Sequence, residues 1–320
     1  MRKILLASTA IASTFAVATA NAEVSISGGA TMHYQAVSDD LVRTSVSDEV
    51  LQIIDNTITV SFSSVTDNGL TLSYSTEMHG GSSQNASISG DFGTITLSET
   101  AHAAESFDVT SPTMKGGHGD VNYTPEASIT SGAGVDVTLI RANEADLSGL
   151  NGNNIAYYSP SINGFSFGVG IGGIETTDDV TSGGVKYSAD LGGASITIGY
   201  AASEGAANVS SDHVGAQVSM GGLTVGMGNA TEESSTSDKE EVTSVALTYV
   251  MNDQMSFNVG TVNSENTLAS KEMTTTSVGV QYTIASGLVA NLATNSFEYK
   301  ASGATVNDGT FTNLMISMSF

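Results

Sequence analysis

From Glu23 onward the chain keeps returning to a period of two. In EVSISGGATMHYQA, Val24, Ile26, Ala30, Met32 and Tyr34 share one phase, while Ser25, Ser27, Thr31, His33 and Gln35 share the other. Such alternation marks a strand with one apolar and one polar face. It recurs at Ile58, Val60 and Phe62, at Leu70, Leu72 and Tyr74, at Phe165, Phe167, Val169 and Ile171, and at Val214, Ala216, Val218 and Met220. Followed to its end in TFTNLMISMSF, the pattern predicts sixteen strands, an even number suited to a closed antiparallel membrane barrel.

The connections alternate too. VTDNG, GDFG, PSING, DLGG, Gly-Gly, MNDQ and ASG are short, whereas SDDLVRTSVSDEV, ATEESSTSDKEE, VNSENTLASKEM and NSFEYKASGATVNDG read as long, Ser/Thr-rich and mostly acidic loops. Short turns on the periplasmic side and longer loops outside are the asymmetry of an outer-membrane barrel. One connection, from Glu99 to about Asn153, far exceeds the roughly 4–6 residues usual between strands. It is expected to fold into the lumen and narrow it, with Glu99, Glu105, Asp108, Asp120 and Glu126 as constriction acids. The inward phase of the wall offers His33, Gln35, Asp55, Glu77, Asn85 and Lys186, and Arg43 and Arg141 are candidate constriction cations.

Composition agrees with a lipid-facing barrel. After Ala22 there is no run of about 18 apolar residues, so no membrane helix is available. Trp and Cys are absent, and only 13% of residues are charged, too few for an ordinary soluble surface. Residues 1–22 read as a signal peptide: basic Arg2 and Lys3, a short apolar core, and Ala20-Asn21-Ala22 as a cleavage site. Without it, 7 basic residues face 33 acidic ones, which excludes nucleic acid as a partner and attracts cations.

The aromatics sort by depth. With the short turns taken as periplasmic, Phe62, Tyr157, Phe165, Tyr187, Tyr249, Phe257, Tyr282 and Phe320 fall near that end of their strands in the outward phase, and Tyr34, Tyr74 and Tyr200 near the other. Rings of aromatics at the two interfaces are what a membrane barrel places there.

Other chemistry finds less support. His33, His79, His102, His118 and His213 lack the spacing of a zinc site, so no metal is expected. Ser38-Asp39-Asp40, Asp178-Asp179 and Glu232-Glu233 have no calcium-loop spacing and read as solvated loops, with loop-bound Ca²⁺ as the alternative. GIGGIET and MGGLTVGMG open no helix, so they read as turns and small lumen residues rather than nucleotide fingerprints. His102, Ser106 and Asp108 are close in sequence, which fixes no catalytic geometry. The competing readings are a solute-specific channel, a barrel hydrolase, for which no nucleophile and base pair is visible, and a secreted β-rich surface adhesin.

Four stretches carry a resemblance: EVSISGGATMHY, SISGDFGTITLSE, YYSPSINGFSFGVGIG and the terminal ISMSF. Through them residues 23–320 resemble the trimeric Gram-negative general porins, especially the alphaproteobacterial type. The resemblance implies a sixteen-stranded all-β barrel in the outer membrane, a homotrimer, a third loop folded inward, and passive diffusion of small hydrophilic solutes without a cofactor or catalysis. It also implies that the C-terminal strand, ending at Phe320, is read by the outer-membrane insertion machinery. Members of that family set loop acids against a cluster of basic residues. Here only Arg43, Lys115, Arg141, Lys186, Lys239, Lys271 and Lys300 remain after residue 22, and cation selectivity is the expectation.

Overall fold

A computed structural model describes residues 23–39, 49–78, 83–99, 102–114, 153–173, 180–205, 210–235, 238–268 and 270–320. The expected signal peptide, Arg43, Arg141, Asp120 and Glu126 lie outside these residues. The first strands are β1 (Glu23–Asp39), β2 (Glu49–Val65), β3 (Thr71–Glu77), β4 (Gln84–Gly90), β5 (Gly93–Ser98), β6 (Asn154–Tyr158), β7 (Phe165–Gly172) and β8 (Val180–Asp190). The second half holds β9 (Ala194–Glu204), β10 (Ser210–Met220), β11 (Leu223–Ser235), β12 (Asp238–Asn252), β13 (Met255–Asn266), β14 (Lys271–Ala285), β15 (Leu288–Ala301) and β16 (Ala304–Ser319). Each strand pairs antiparallel with its neighbours in sequence, and β1 pairs with β16 to close the barrel. Gly28 and Phe320 exchange two backbone hydrogen bonds, of 3.1 and 3.0 Å, across that seam.

The period of two resolves into an outer and an inner face. Ile198, Val245, Val278 and Leu292 point outward and are exposed, an apolar belt that only lipid would cover. Between them lie inward residues such as Ser244, Asn258, Ser277 and Asn291, buried and polar. In β2 the phase changes midway. A register shift opposite Gly29 and Thr31 puts Asp55 and Asn56 in a bulge, and an extra residue there inverts the faces above it. Leu51 and Ile53 therefore face outward, and Gln52 turns in.

Turn chemistry explains the short ends. Asp190 accepts the Gly192 N–H at 2.8 Å, and Asn252 accepts the N–H groups of Gln254 and Met255, both at 2.9 Å. Gly164 and Gly287 adopt positive φ of 87° and 72° with backbone close by, conformations that favour glycine.

At the opposite end three of the expected long loops are strand. β11 and β12 stay paired to Ser235 and Asp238, β13 and β14 to Asn266 and Lys271, and β15 and β16 to Ala301 and Ala304. Their acidic and hydroxyl residues hide a ladder, because above the lipid the outer face no longer needs to be apolar. The barrel is consequently uneven: β3 to β6 have 7, 7, 6 and 5 residues, against 15, 12, 15, 14 and 16 in β12 to β16.

The aromatic rows need one correction. Tyr74 pairs directly with Phe62, their ring centroids 6.2 Å apart, so it sits at the height of Phe62 and not at the other end. β3 is too short to separate them. Phe165 contacts Tyr187 at 4.5 Å, Tyr249 pairs with Phe257, and Tyr282 lies opposite Met255. Tyr157 donates to the Phe92 carbonyl at 2.7 Å.

Candidate functional site: a strap across the inner wall

After β5 the chain turns inward. Residues 102–114 form a strap that begins with a single 3-10 turn, Ala104–Phe107, and continues extended from Asp108. The strap has two sides of its own. His102, Ala103, Ala104, Phe107, Val109, Ser111 and Met114 are buried, while Glu105, Ser106 and Thr113 are exposed.

Glycine makes room for it. A Cβ on Gly168 would lie 2.5 Å from Phe107 Cε2, one on Gly184 2.5 Å from Phe107 Cβ, and one on Gly199 2.6 Å from Val109 Cγ2. Gly172 would meet the His102 ring and Gly215 the Val109 carbonyl, Gly226 would meet Pro112 Cδ at 3.0 Å, and Gly279 the Met114 sulfur at 2.6 Å. These glycines occupy the phase opposite outward Val169, Val185, Tyr200, Val214, Val225 and Val278, so the strap crosses the inner wall from β7 to β14.

Polar side chains of the wall then hold the strap's backbone. Lys186 donates to the Ser106 carbonyl at 2.5 Å, Gln217 to the Thr110 carbonyl at 2.6 Å, and Asn258 to the Pro112 carbonyl at 2.8 Å. His213 Nε2 lies 3.3 Å from both the N–H and the carbonyl oxygen of Val109. A backbone that leaves its own ladder must find such partners when it is buried. The Lys186 ammonium also sits 5.8 Å from the Phe107 ring centroid, and that ring stacks on Tyr158 at 6.2 Å. His102 is different: it is 1% exposed, and among the described residues neither ring nitrogen has a hydrogen-bond partner. Burial holds its pKa below the ordinary histidine value, so the ring is neutral.

The remaining sequence-derived site residues are spread along the wall. Glu105 and Asp108 lie on the strap on either side of Ser106 and Phe107, the two residues that Lys186 reaches. His33 bonds Asn313 at 3.1 Å and Gln52 at 3.4 Å, with buried Gln35 two residues on. Glu77 ends β3 on the inner face. Asn85 lines a recess of about 320 Å³ together with Thr94, Thr96, Ser98, Ser106 and Tyr158. Glu99 is placed elsewhere: it leaves β5 on the outward side and accepts the Gln84 N–H at 3.1 Å. Glu232 and Glu233 belong to β11 rather than to a loop. Among the described residues, no three His, Asp or Glu side chains converge as a metal site.

Sequence reasoning missed His213, Gln217 and Asn258 as holders of the strap. Only the inward phase marked them, and it marks many residues. The glycines left a clearer trace, since Gly168, Gly170 and Gly172 in FGVGIG follow the inward period.

The sequence profile of the Gram-negative porin family matches residues 7–302. A comparison with curated proteins finds no match. Among solved structures, the anion-selective porin from Comamonas acidovorans superposes with a TM-score of 0.61 at 15% identity, covering 93% of this chain and 100% of that one. OmpT of Vibrio cholerae gives 0.63 at 14% identity, with 95% and 99% covered, and a mutant porin of Rh. blastica gives 0.62 at 15%, with 93% and 100% covered. At such identities the likeness is one of fold.

Proposed function

Because the chain belongs to the Gram-negative porin family, and is thus an outer-membrane channel, we propose that it lets small hydrophilic solutes and ions diffuse passively and favours cations over anions. The observation that supports this reading most is the distribution of charge on the inner side. Among the described residues, Glu77, Glu105, Asp108, Glu232 and Glu240 lie on the strap or in inward phases, against two cations in the inward phase: Lys186, which donates to the Ser106 carbonyl, and Lys271 at the start of β14. An excess of carboxylates over cations concentrates counter-cations and raises a barrier to anions. An anion-selective porin has the same barrel, so selectivity has to come from side chains.

The polar residues of the inner face, such as Ser277 and Asn291, support hydrophilic rather than apolar solutes. A homotrimer, contact with outer-membrane lipid, and delivery through the C-terminal strand belong to the same proposal, and no catalytic step does. The test is planar-bilayer conductance of the purified protein, with the reversal potential read across a KCl gradient. Stepwise, ohmic, cation-selective currents are expected, and Lys186→Glu should raise the cation preference further. Anion preference would overturn the charge argument, and a folded barrel without conductance would overturn the channel itself. Crosslinking before electrophoresis should give a three-subunit band.

A further inference from the structure

The strap touches the wall at glycine after glycine, in phase, on five consecutive strands. Gly168, Gly170 and Gly172 come from β7, Gly184 from β8, Gly199 from β9, Gly215 from β10 and Gly226 from β11, with Gly279 on β14 at the far end. Strand interiors normally disfavour glycine, which brings no side chain to pack and loses more entropy on ordering. A row of them marks a place where another backbone must come close. Every position in the row has a definite neighbour on the strap, from His102 at Gly172 to Met114 at Gly279. Between the glycines stand Lys186, His213, Gln217 and Asn258, all bonded to backbone atoms of the strap. Backbone recognition of this kind does not depend on the strap's own side chains, which leaves Glu105 and Thr113 exposed.

From this arrangement we propose that the glycine lane and its four polar side chains are the positioning and aperture-setting element of the channel, so that the width of the lumen is fixed by the wall rather than by the strap. The proposal rests on the channel reading above. Depth is the quantity the lane controls. With no Cβ beneath them, Phe107 and Val109 sink to the backbone of the wall, and each methyl added there pushes the strap toward the axis by about its own thickness. Lys186, Gln217 and Asn258 fix position along the lane, each donating to a different strap carbonyl. Specificity for solute size thereby becomes a property of β7 to β11, far in sequence from the residues that project into the lumen.

Two measurements on the full-length folded protein test this, and their failures differ. The chain has no cysteine, and the Cβ that Gly170 lacks would lie 3.1 Å from Ala103 Cβ, close to the roughly 3.5–4.5 Å of a disulfide. In Ala103→Cys/Gly170→Cys, mild oxidation should remove both thiols from alkylation in the folded barrel, while the Ala103→Cys single variant stays alkylatable after unfolding. Thiols that never pair in a folded barrel would overturn the docking, whatever the conductance. The second measurement is single-channel conductance in Gly168→Ala, Phe107→Leu and their combination. Gly168→Ala should lower conductance and the solute size limit, because its methyl meets the Phe107 ring edge. Removing that edge by Phe107→Leu in the same chain should restore both. Unchanged conductance in Gly168→Ala, or no restoration in the double variant, would overturn the aperture role. A disulfide that forms in a barrel without conductance would instead overturn the channel reading, and the aperture role with it, while leaving the docking in place.

Discussion

Two stretches of the inner wall solve the same problem in opposite ways. From β7 to β11 the inward positions nearest the strap are glycine, and a separate piece of chain fills the space. From β14 through β16 they carry large side chains: Met273, Phe297, Tyr299 and Phe311 form a buried cluster, with Phe297 and Phe311 centroids 6.2 Å apart. Gly279, under Met114, lies where the strap reaches the second stretch. Both inner faces obey one alternation, so the period says where a side chain points and residue size says what is meant to lie there. The first stretch is a seat, and the second is its own filling.

This contrast can be broken. The largest effect should come from the second stretch: Phe311→Ala opens a cavity in the cluster and should cost about 3–5 kcal/mol of stability, read as an earlier midpoint of chemical unfolding, with the solute size limit unchanged. A changed size limit would mean that both walls set the aperture. On the first stretch, Gly215→Ala should cost about 1–3 kcal/mol by overpacking against Val109, and should lower conductance as well. Stability loss without a conductance change would reduce the lane to ordinary packing. Gln217→Ala removes one donor to the strap and should cost about 0.5–1.5 kcal/mol, seen as more open-channel noise from a looser strap. A quiet trace would show that the other donors suffice.

Acid gives the finest probe of the seat. His102 is held below its ordinary pKa of about 6.5 by burial. A released strap therefore binds a proton more readily than a docked one. Docking is strongest above pH 6.5 and weakens as the pH falls through that value toward the lower docked pKa. Conductance noise should rise over that window, and His102→Leu should remove the part of the rise due to this ring. An identical pH profile in His102→Leu would assign the effect to other groups.

Much of the fold was legible in the sequence because lipid imposes the alternation that reveals a strand. Val214, Ala216, Val218 and Met220 could hardly be read otherwise, and the sixteen strands follow from such runs. The reading failed where lipid ends. Glu232, Glu241, Glu265 and Glu272 sit in strands whose outer neighbours are not apolar, and backbone pairing alone leaves no compositional mark. The β2 bulge left no mark either, since an extra residue at Asp55 and Asn56 changes which face Leu51 and Ile53 take without altering composition. Of the site, Glu105 and Asp108 were legible through charge in a long acidic segment, and Lys186 through the inward phase of its strand. His213, Gln217 and Asn258 were not, because their partners are backbone atoms about 100 or more residues away along the chain.

The seam between β1 and β16 bears on how such a molecule comes into being. The two strands that close the circle are the first and the last of the described strands, and the paired bonds of Gly28 wait for Phe320. Contacts of such long sequence separation are slow to form, since the chain loses the entropy of a loop almost as long as itself before the bond is made. Until that moment two rows of N–H and C=O groups stand open, each able to pair with another chain. Only once β16 exists and has met β1 can the barrel become safe from its neighbours.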